Sequence, residues 1–243
     1  MRSVIGAMSL LMLAEVCLPV GGGTMPRLRR GFDLLAPHYR WMERVLAGSA
    51  LQSCRTKHLA SITHGGKILL LGEGPGRFLS EVIRSFPVAE ITCVDSSAAM
   101  LAQARSANPS PHVLFVHADA SEHHLGIECY DTIASHFFLD CFPPDQLRQL
   151  ISRIASALKP GGLWLISDFR LPPSGPQRWR AAILLKFMYL FFRTVTALPA
   201  RQLTNPDPFL QQNGLVLLKR HTANFGLLHS DLWRKSQIRN RQV

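Results

Sequence analysis

Cysteine is scarce in this chain of 243 residues and lacks the spacing of a disulfide or metal framework. The five cysteines, an odd number, stand at positions 17, 54, 93, 129 and 141, and no two of them form a C-x-x-C pair. This pattern indicates neither structural disulfides nor a zinc site, and it favours reduced thiols in a cytoplasmic protein. Glu122, His123 and His124 have no further carboxylate at ligand spacing, so no metal site is predicted there either.

Acidic residues are also few, and two nucleotide-binding signatures are missing. The 16 acidic residues face 27 basic ones, so the formal net charge is +11. Such an excess suits nucleic acid, an anionic membrane surface or anionic substrates, but the arginines form no long run. A dinucleotide fingerprint would need glycine at Arg77, and the G-K-S/T of a phosphate loop is absent.

The most informative stretch that is present covers residues 67–78, KILLLGEGPGRF. Consecutive apolar residues of this length are typical of a strand buried on both faces. They lead into Gly72, Gly74 and Gly76, and then into apolar residues at helical spacing. Glycine permits a sharp turn and a close approach of a ligand to the backbone, and a helix start offers free amide groups. The pattern predicts a strand, a loop and a helix, with the loop either a cofactor site or a plain turn.

Further strands follow at regular intervals. Residues 90–94 predict a second strand that leads into Asp95, where a carboxylate can accept hydrogen bonds from both hydroxyls of a ribose. Residues 112–116 predict a third strand, followed by Asp119. The motifs LGEGPGRF, VDSSAAML, HADA and LKPGGLWLISDF stand in this order over about residues 60–170. In order and spacing they resemble those of the class I S-adenosylmethionine-dependent methyltransferases.

The resemblance implies a fold, a cofactor and a set of contacts. The implied fold is α/β, with a doubly wound, Rossmann-like sheet of seven strands in the order 3-2-1-4-5-7-6, helices on both faces and an N-terminal helical lid. The cofactor is S-adenosyl-L-methionine, and the implied cofactor-binding residues are Gly72, Glu73, Gly74, Gly76, Asp95, Ser96, Asp119, Ala120 and Ser135. Asp119 matches the residue that accepts from the adenine amino group, although aspartate also favours turns for its own sake. Where the family often has an acidic residue near the end of the first strand, this chain has Leu70. Contacts to the amino group of the donor would then come from Glu73, backbone carbonyls or the lid.

The predicted fourth strand ends in residues 135–138, SHFF, and the resemblance implies that this end faces the methyl donor. Enzymes that methylate exocyclic amines of bases carry N/D-P-P-Y/F here, and cytosine C5 enzymes use a cysteine directly after a proline, which Cys141 is not. Apolar aromatic residues with one histidine suit a small, partly hydrophobic acceptor. His136 is a candidate catalytic base because its ordinary pKa lies near neutrality, and a histidine packed at a strand end is the equal alternative. The predicted substrate contacts are Tyr39, His136 and Phe137.

The ends of the chain are expected to lie outside the enzyme core. Residues 1–24 have a charged start and an apolar stretch, but no small-x-small cleavage site follows and the stretch is too short to span a bilayer. We expect a leader or disordered tail there, with Met25 as the true start. Residues 25–64 are expected to form the helical lid, since their F-D-x-x-A-x-x-Y pattern is similar to the start of ubiquinone and menaquinone C-methyltransferases. Residues 65–235 are expected to form the methyltransferase domain, and 236–243 a basic tail.

A helix predicted over residues 177–198 is apolar almost all round and is flanked by Arg178, Arg180 and Arg193. It could pack as a core helix on the sheet. It could also lie on a membrane surface, where apolar side chains enter the interface and arginines meet anionic headgroups. The second interpretation gives a cytoplasmic, membrane-associated enzyme.

Three functions remain open at this stage. The motif series and the aromatic end of the fourth strand favour methylation of a small, hydrophobic, quinone-like or lipid-like acceptor. The positive charge permits an RNA or protein methyltransferase, but the missing signatures make nucleic acid an unlikely partner. The leucine at position 70 permits a catalytically silent relative that binds the cofactor or a partner and serves as an assembly subunit. The oligomeric state and the methyl acceptor are not encoded in a recognisable pattern.

Overall fold

The computed structural model describes residues 33, 49–62, 66–196 and 198–237. Several predictions concern residues outside these ranges: the leader at 1–24, Tyr39, most of the lid at 25–64, and residues 238–243 of the basic tail. The description below concerns the remainder of the chain.

A single sheet organises the described residues. Its strands are β1 (Lys67–Leu71), β2 (Glu90–Asp95), β3 (Val113–His117), β4 (Tyr130–His136), β5 (Leu158–Phe169), β6 (Leu215–Ala223) and β7 (Leu228–Lys235). They form a seven-stranded sheet in the order β3-β2-β1-β4-β5-β7-β6. β7 is antiparallel to β5 and β6, and the other neighbouring strands are parallel. The predicted fold class and strand order are confirmed.

Helices connect the strands and cover both faces. They are α1 (Ala50–Thr56), α2 (Arg77–Ser85), α3 (Ala98–Ala107), α4 (Pro144–Ala157), α5 (Pro176–Thr196) and α6 (Asp207–Gln212), with 3-10 turns at Leu59–Ser61 and Leu139–Cys141. Because the parallel strands β1 to β5 are joined by crossovers, their carboxyl ends meet at one edge of the sheet, where ligands bind in open α/β folds.

The alternation of β1 explains the two halves of the core. Leu69 and Leu71 pack on one face, in a cluster with Trp164 and the apolar side of α4. Ile68 and Leu70 pack on the opposite face, against Phe78 of α2. Leu70 has no exposed surface, so the leucine completes an apolar layer in which an ionised carboxylate would be costly.

Some element bounds differ from those that the sequence suggests. The Lys-Pro-Gly-Gly segment at residues 159–162 lies within β5 rather than before it, because Tyr130 pairs with Leu158 and the register shifts before Thr132 pairs with Leu163. The short helix α6 was not predicted. The long apolar helix α5 is not buried all round: it buries Ala181, Leu185 and Tyr189 and leaves its other face exposed.

Candidate cofactor and acceptor site

The glycine loop between β1 and α2 has the left-handed backbone that its sequence requires. Gly72, Gly74 and Gly76 have φ values of 63°, 64° and 83°. A Cβ at Gly76 would lie 2.5 Å from Asn108 Nδ2 and 3.0 Å from the Cα of Ala104, so this glycine lets α2 pack against α3. Among the described residues, a Cβ at Gly74 would meet nothing within 4 Å. The loop therefore presents open backbone at Gly74, as the approach of a ligand requires.

Glu73 turns away from this open backbone and caps the following helix. Its Oε1 accepts the backbone N–H groups of Phe78 at 2.7 Å and of Leu79 at 3.0 Å, two of the donors that a helix start leaves unsatisfied. Burial raises the pKa of Glu73 to about 7, against the effect of these hydrogen bonds and of Arg55. The sequence predicts that Glu73 contacts the amino group of the donor. In the structure its carboxylate binds the backbone N–H groups at the start of α2.

Asp95, at the end of β2, fastens the glycine loop. Its Oδ2 accepts from the N–H of Gly74 at 2.9 Å, and its Oδ1 accepts from the N–H of Ser97 at 2.9 Å. Each oxygen retains a further lone pair for a ligand hydroxyl. Burial raises the pKa of Asp95 despite these two hydrogen bonds. The ribose-type carboxylate and the open glycine thus form one hydrogen-bonded unit.

Asp33 reaches the same place from the N-terminal segment. Its Oδ1 accepts from Ser97 Oγ at 2.6 Å and from the N–H of Ala99 at 3.2 Å. Ser97 Oγ in turn accepts from the N–H of Met100 at 3.2 Å, so two side chains cap α3. The aspartate of the F-D-x-x-A-x-x-Y pattern is therefore bound beside Asp95, which the sequence alone did not predict.

The other predicted cofactor residues have mixed surroundings. Asp119 is buried and its Oδ1 accepts from both the N–H and Oγ of Ser121, so the turn-forming role is present. Ala120 belongs to the core, and the carbonyl of Ser96 contacts His117 Nε2 at 3.0 Å. Ser135 Oγ accepts from the indole of Trp164 at 2.9 Å and is buried.

His136 ends β4 as a buried imidazole without a hydrogen-bond partner among the described residues. Its ring meets that of Phe78 edge to face, with 4.4 Å between centroids. Burial, reinforced by the positive charges of Arg55 and His58, lowers the pKa of His136 to about 3. The imidazole is therefore neutral at physiological pH, and both nitrogens are desolvated without compensation.

The two phenylalanines after His136 cover this edge of the sheet. Phe137 has a φ of 55°, unusual for a bulky residue, and its N–H donates to the carbonyl of Ser167 at 2.7 Å. The guanidinium of Arg55 lies 5.1 Å from the centre of its ring. Phe138 lies against Gly72, where a Cβ would come within 2.4 Å of its ring. The aromatic end of β4 thus abuts the glycine loop.

Two buried acids, Asp140 and Asp168, lie beside this aromatic edge, and their proximity was not predicted from the sequence. Asp168 ends β5 on the face opposite Ser167, and its Oδ2 accepts from the N–H of Asp140 at 3.2 Å. Burial raises the pKa of Asp140 to about 6 and, together with the charge of Asp140, raises that of Asp168. The hydroxyl of Tyr189, on α5, donates to the carbonyl of Asp140 at 3.1 Å. The loop that follows β4 is therefore held both to β5 and to α5.

The described ranges contain neither a group of metal ligands nor a membrane span. There, no three or more His, Cys, Asp and Glu side chains are grouped so that they could hold a metal ion. No helix in the same ranges is both long and apolar enough to cross a membrane.

The residues present fit an adenosyl cofactor. Gly74 offers open backbone, and Asp95 combines a fixed orientation with spare lone pairs that could accept from ribose hydroxyls. The neighbouring end of β4 is aromatic and carries one neutral imidazole. A donor bound along the glycine loop would therefore face an apolar acceptor region.

Comparison with known proteins agrees with this arrangement. Residues 68–162 match the family described as "Methyltransferase domain". A malonyl-[acyl-carrier protein] O-methyltransferase of Halalkalibacterium halodurans is 29% identical over 132 residues, which cover 53% of this chain and 48% of that protein. A demethylmenaquinone methyltransferase of Chlamydia caviae is 25% identical over 164 residues, covering 67% of this chain and 70% of that protein. The chain thus matches about half the length of the first relative.

Among solved structures, the 1,6-didemethyltoxoflavin-N1-methyltransferase of Burkholderia thailandensis superposes with a TM-score of 0.63. The superposition covers 91% of this chain and 93% of that chain, at 18% sequence identity. That structure contains 1,6-didemethyltoxoflavin and S-adenosylhomocysteine. At this level of identity the likeness concerns the fold.

Proposed function

Because this chain belongs to the class I S-adenosylmethionine-dependent methyltransferase superfamily, we propose that it methylates a small, hydrophobic, quinone-like or lipid-like acceptor. The observation that carries the proposal is the hydrogen bond from Gly74 to Asp95, beside the aromatic end of β4. It joins a polar loop and a carboxylate that could hold the cofactor to an apolar acceptor region at the same edge of the sheet.

The protein's share of the chemistry is mainly positioning. When bound, S-adenosylmethionine supplies a methyl group on a cationic sulfur, which is its own leaving group. Gly74 and Asp95 then hold the donor, and Phe137 and Phe138 exclude water from the acceptor side. Orientation of this kind supplies roughly 7 to 11 kcal/mol in favourable cases.

His136 is the proposed proton acceptor, for acceptors that must be deprotonated. Its imidazole is neutral because its pKa is lowered to about 3, so a nitrogen lone pair is available throughout the physiological range. A base this weak does not remove a phenolic proton in advance, but it would accept the proton as the bond from the acceptor oxygen to the methyl carbon forms and the hydroxyl becomes acidic. Phe137 would contact the ring of that acceptor.

A hydrophobic acceptor is supported by three features. The side chains that follow His136 are aromatic, and the amine-type N/D-P-P-Y/F motif is absent from the end of β4. The Chlamydia caviae relative is named for a menaquinone precursor. Peripheral membrane contact through residues 177–198 would deliver an acceptor of this kind to the site.

Calorimetric titration with S-adenosylhomocysteine tests the cofactor site. The wild type should bind, and Asp95→Asn should bind at least tenfold more weakly. The amide NH2 group that replaces one carboxylate oxygen cannot accept from a ribose hydroxyl and would face the N–H of Gly74 or of Ser97. Asp145→Asn, the same change at an exposed position in the first turn of α4, is the matched control. Absence of binding to the folded wild type would refute the proposed enzyme and favour the silent assembly subunit.

Transfer of a labelled methyl group to quinone, lipid, RNA and protein extracts then tests the acceptor. We expect label in the organic-soluble fraction. Label confined to RNA or protein would replace the hydrophobic acceptor with the macromolecular alternative.

A further inference from the structure

The outer face of α5 carries a stripe of large apolar side chains. Trp179, Ile183, Phe187 and Leu190 are 76%, 51%, 55% and 49% exposed, respectively. Their spacing of four, four and three residues puts them on one side of the helix. Single exposed apolar residues are ordinary on protein surfaces, but a continuous stripe is typical of a surface that meets another apolar phase.

The inner face of α5 is packed firmly against the rest of the fold. Ala181, Leu185 and Tyr189 are buried in a cluster that includes Leu51, with Phe137 packed against it. The helix therefore has two apolar faces, of which only one is packed against the rest of the described chain. That explains why the sequence looks apolar almost all round.

The charges around the exposed stripe all have one sign. Arg178, Arg180, Lys186 and Arg193 are exposed, and Pro176–Thr196 contains no acidic residue. A partner surface complementary to this helix must therefore combine an apolar interior with negative charge. An anionic lipid bilayer has both properties, since basic side chains remain at the headgroups while apolar ones enter the interface.

The tip of the β6–β7 hairpin extends this surface. Phe225 is 72% exposed and has a φ of 54°, between Asn224 and Gly226, which are also left-handed. The guanidinium of Arg180 lies 4.9 Å from the centre of its ring. A phenylalanine is unfavourable at this position because its backbone is left-handed and because its apolar ring is exposed to water. Both costs indicate that the ring contacts a partner other than this chain.

We propose that Trp179, Ile183, Phe187, Leu190 and Phe225 form a docking face for the surface of an anionic bilayer. The face is one side of a rigid element whose other side, through the hydroxyl of Tyr189, holds the loop that follows β4. Bilayer binding therefore positions the acceptor side of the site next to the lipid. This last link rests on the proposed function, whereas the docking face does not.

Vesicle co-sedimentation tests the docking face with the full-length protein. Vesicles of phosphatidylcholine with phosphatidylglycerol should bind the wild type at least tenfold more tightly than vesicles of phosphatidylcholine alone. Phe187→Ser combined with Phe225→Ser should weaken binding at least tenfold, because both side chains lose their apolar contact. Val88→Ser combined with Ile127→Ser, at exposed sites of 71% and 74%, is the matched control and should leave binding unchanged.

Fluorescence reports the depth of insertion at a single residue. Trp164 and Trp233 are fully buried, so in a Trp41→Phe background a vesicle-dependent blue shift reports Trp179. Lys186→Glu with Arg193→Glu should abolish the preference for phosphatidylglycerol. S-adenosylhomocysteine affinity, measured without vesicles, should be unchanged in every variant, so a failed cofactor site and a failed docking face give different results.

Three outcomes would overturn the proposal. The first is equal or absent binding to both kinds of vesicle. The second is a Trp179 emission that is already that of a buried indole without lipid, since the chain itself would then cover the face. The third is a concentration-dependent dimer that Phe187→Ser dissociates, because the occupant would then be a second copy.

Discussion

The carboxyl edge of the sheet has two halves that use different parts of the chain. At the ends of β1 and β2, backbone groups dominate, and the half-buried carboxylate of Asp95 accepts a hydrogen bond from Gly74. At the ends of β4 and β5, side chains dominate: His136 has no partner among the described residues, and Asp140 and Asp168 are buried together. A donor common to many enzymes can be held by backbone, whereas each acceptor needs its own side chains.

The largest effect is expected at His136. His136→Phe should lower the rate of methyl transfer about 100-fold or more if the imidazole is a base, a typical loss for general base catalysis. The same variant should be about 1 kcal/mol more stable, because a buried imidazole without a hydrogen bond is replaced by an apolar ring against Phe78. Transfer assays and denaturant unfolding measure the two quantities. A variant that is less stable and fully active would show that His136 is only a packing residue.

On the cofactor side, the largest effect is expected at Gly76. Gly76→Ala should cost about 2 to 4 kcal/mol of unfolding free energy, since the new methyl meets Ala104 and Asn108 and the backbone is left-handed. Gly214→Ala is the matched control: its φ is 76°, but a Cβ there meets nothing within 4 Å. The control isolates the backbone strain, about 1 kcal/mol. Equal losses in the two variants would show that the packing of α2 on α3 is looser than the structure indicates.

The same contrast explains what could be predicted from the sequence. The fold was readable because β1 alternates between two buried layers and runs directly into glycines that need a left-handed backbone. The Asp95 position was readable because a strand end fixes where a side chain lies. These features depend on residues that are close together in the chain, so they can be recognised from the amino-acid sequence.

Other features depend on the folded chain and left no pattern. Asp140 and Asp168 are brought together only by the pairing of β4 with β5, and Asp33 binds Ser97, which lies 64 residues further along the chain. The exposed stripe on α5 was hidden because both faces of that helix are apolar. The sequence predicted the positions of strand ends and loops better than the contacts that individual side chains make.

Substitution of Gly74 tests whether the protein binds the methyl donor through the open backbone of the glycine loop. Gly74→Ala should weaken S-adenosylhomocysteine binding about tenfold in calorimetry, because the methyl occupies the space in front of the loop. Its stability should fall no more than that of Gly214→Ala, since neither new methyl meets another atom within 4 Å. Unchanged affinity would mean that the donor does not approach Gly74, and the cradle would then have to be placed elsewhere on the edge.

The smallest effect is expected on the pH dependence of the free energy of unfolding, which should change differently in variants of the cofactor half and of the acceptor half of the sheet edge. The pKa of Glu73 is raised by burial from an ordinary 4.5 to about 7, so between these values the folded protein holds a proton that the unfolded chain releases. The stability from this group is full below about pH 4.5 and is lost as the pH rises through 7. Glu73→Gln keeps an acceptor for Phe78 and Leu79 and should remove about 1 to 2 kcal/mol of that loss in unfolding measured from pH 4.5 to 7.5. His136→Phe should act in the opposite direction: it removes the loss of stability that occurs as the pH falls from 6.5 towards 3, because His136 resists protonation in the fold. A Glu73→Gln curve that parallels the wild type would mean that Asp140 and Asp168, on the acceptor side, account for the decline alone.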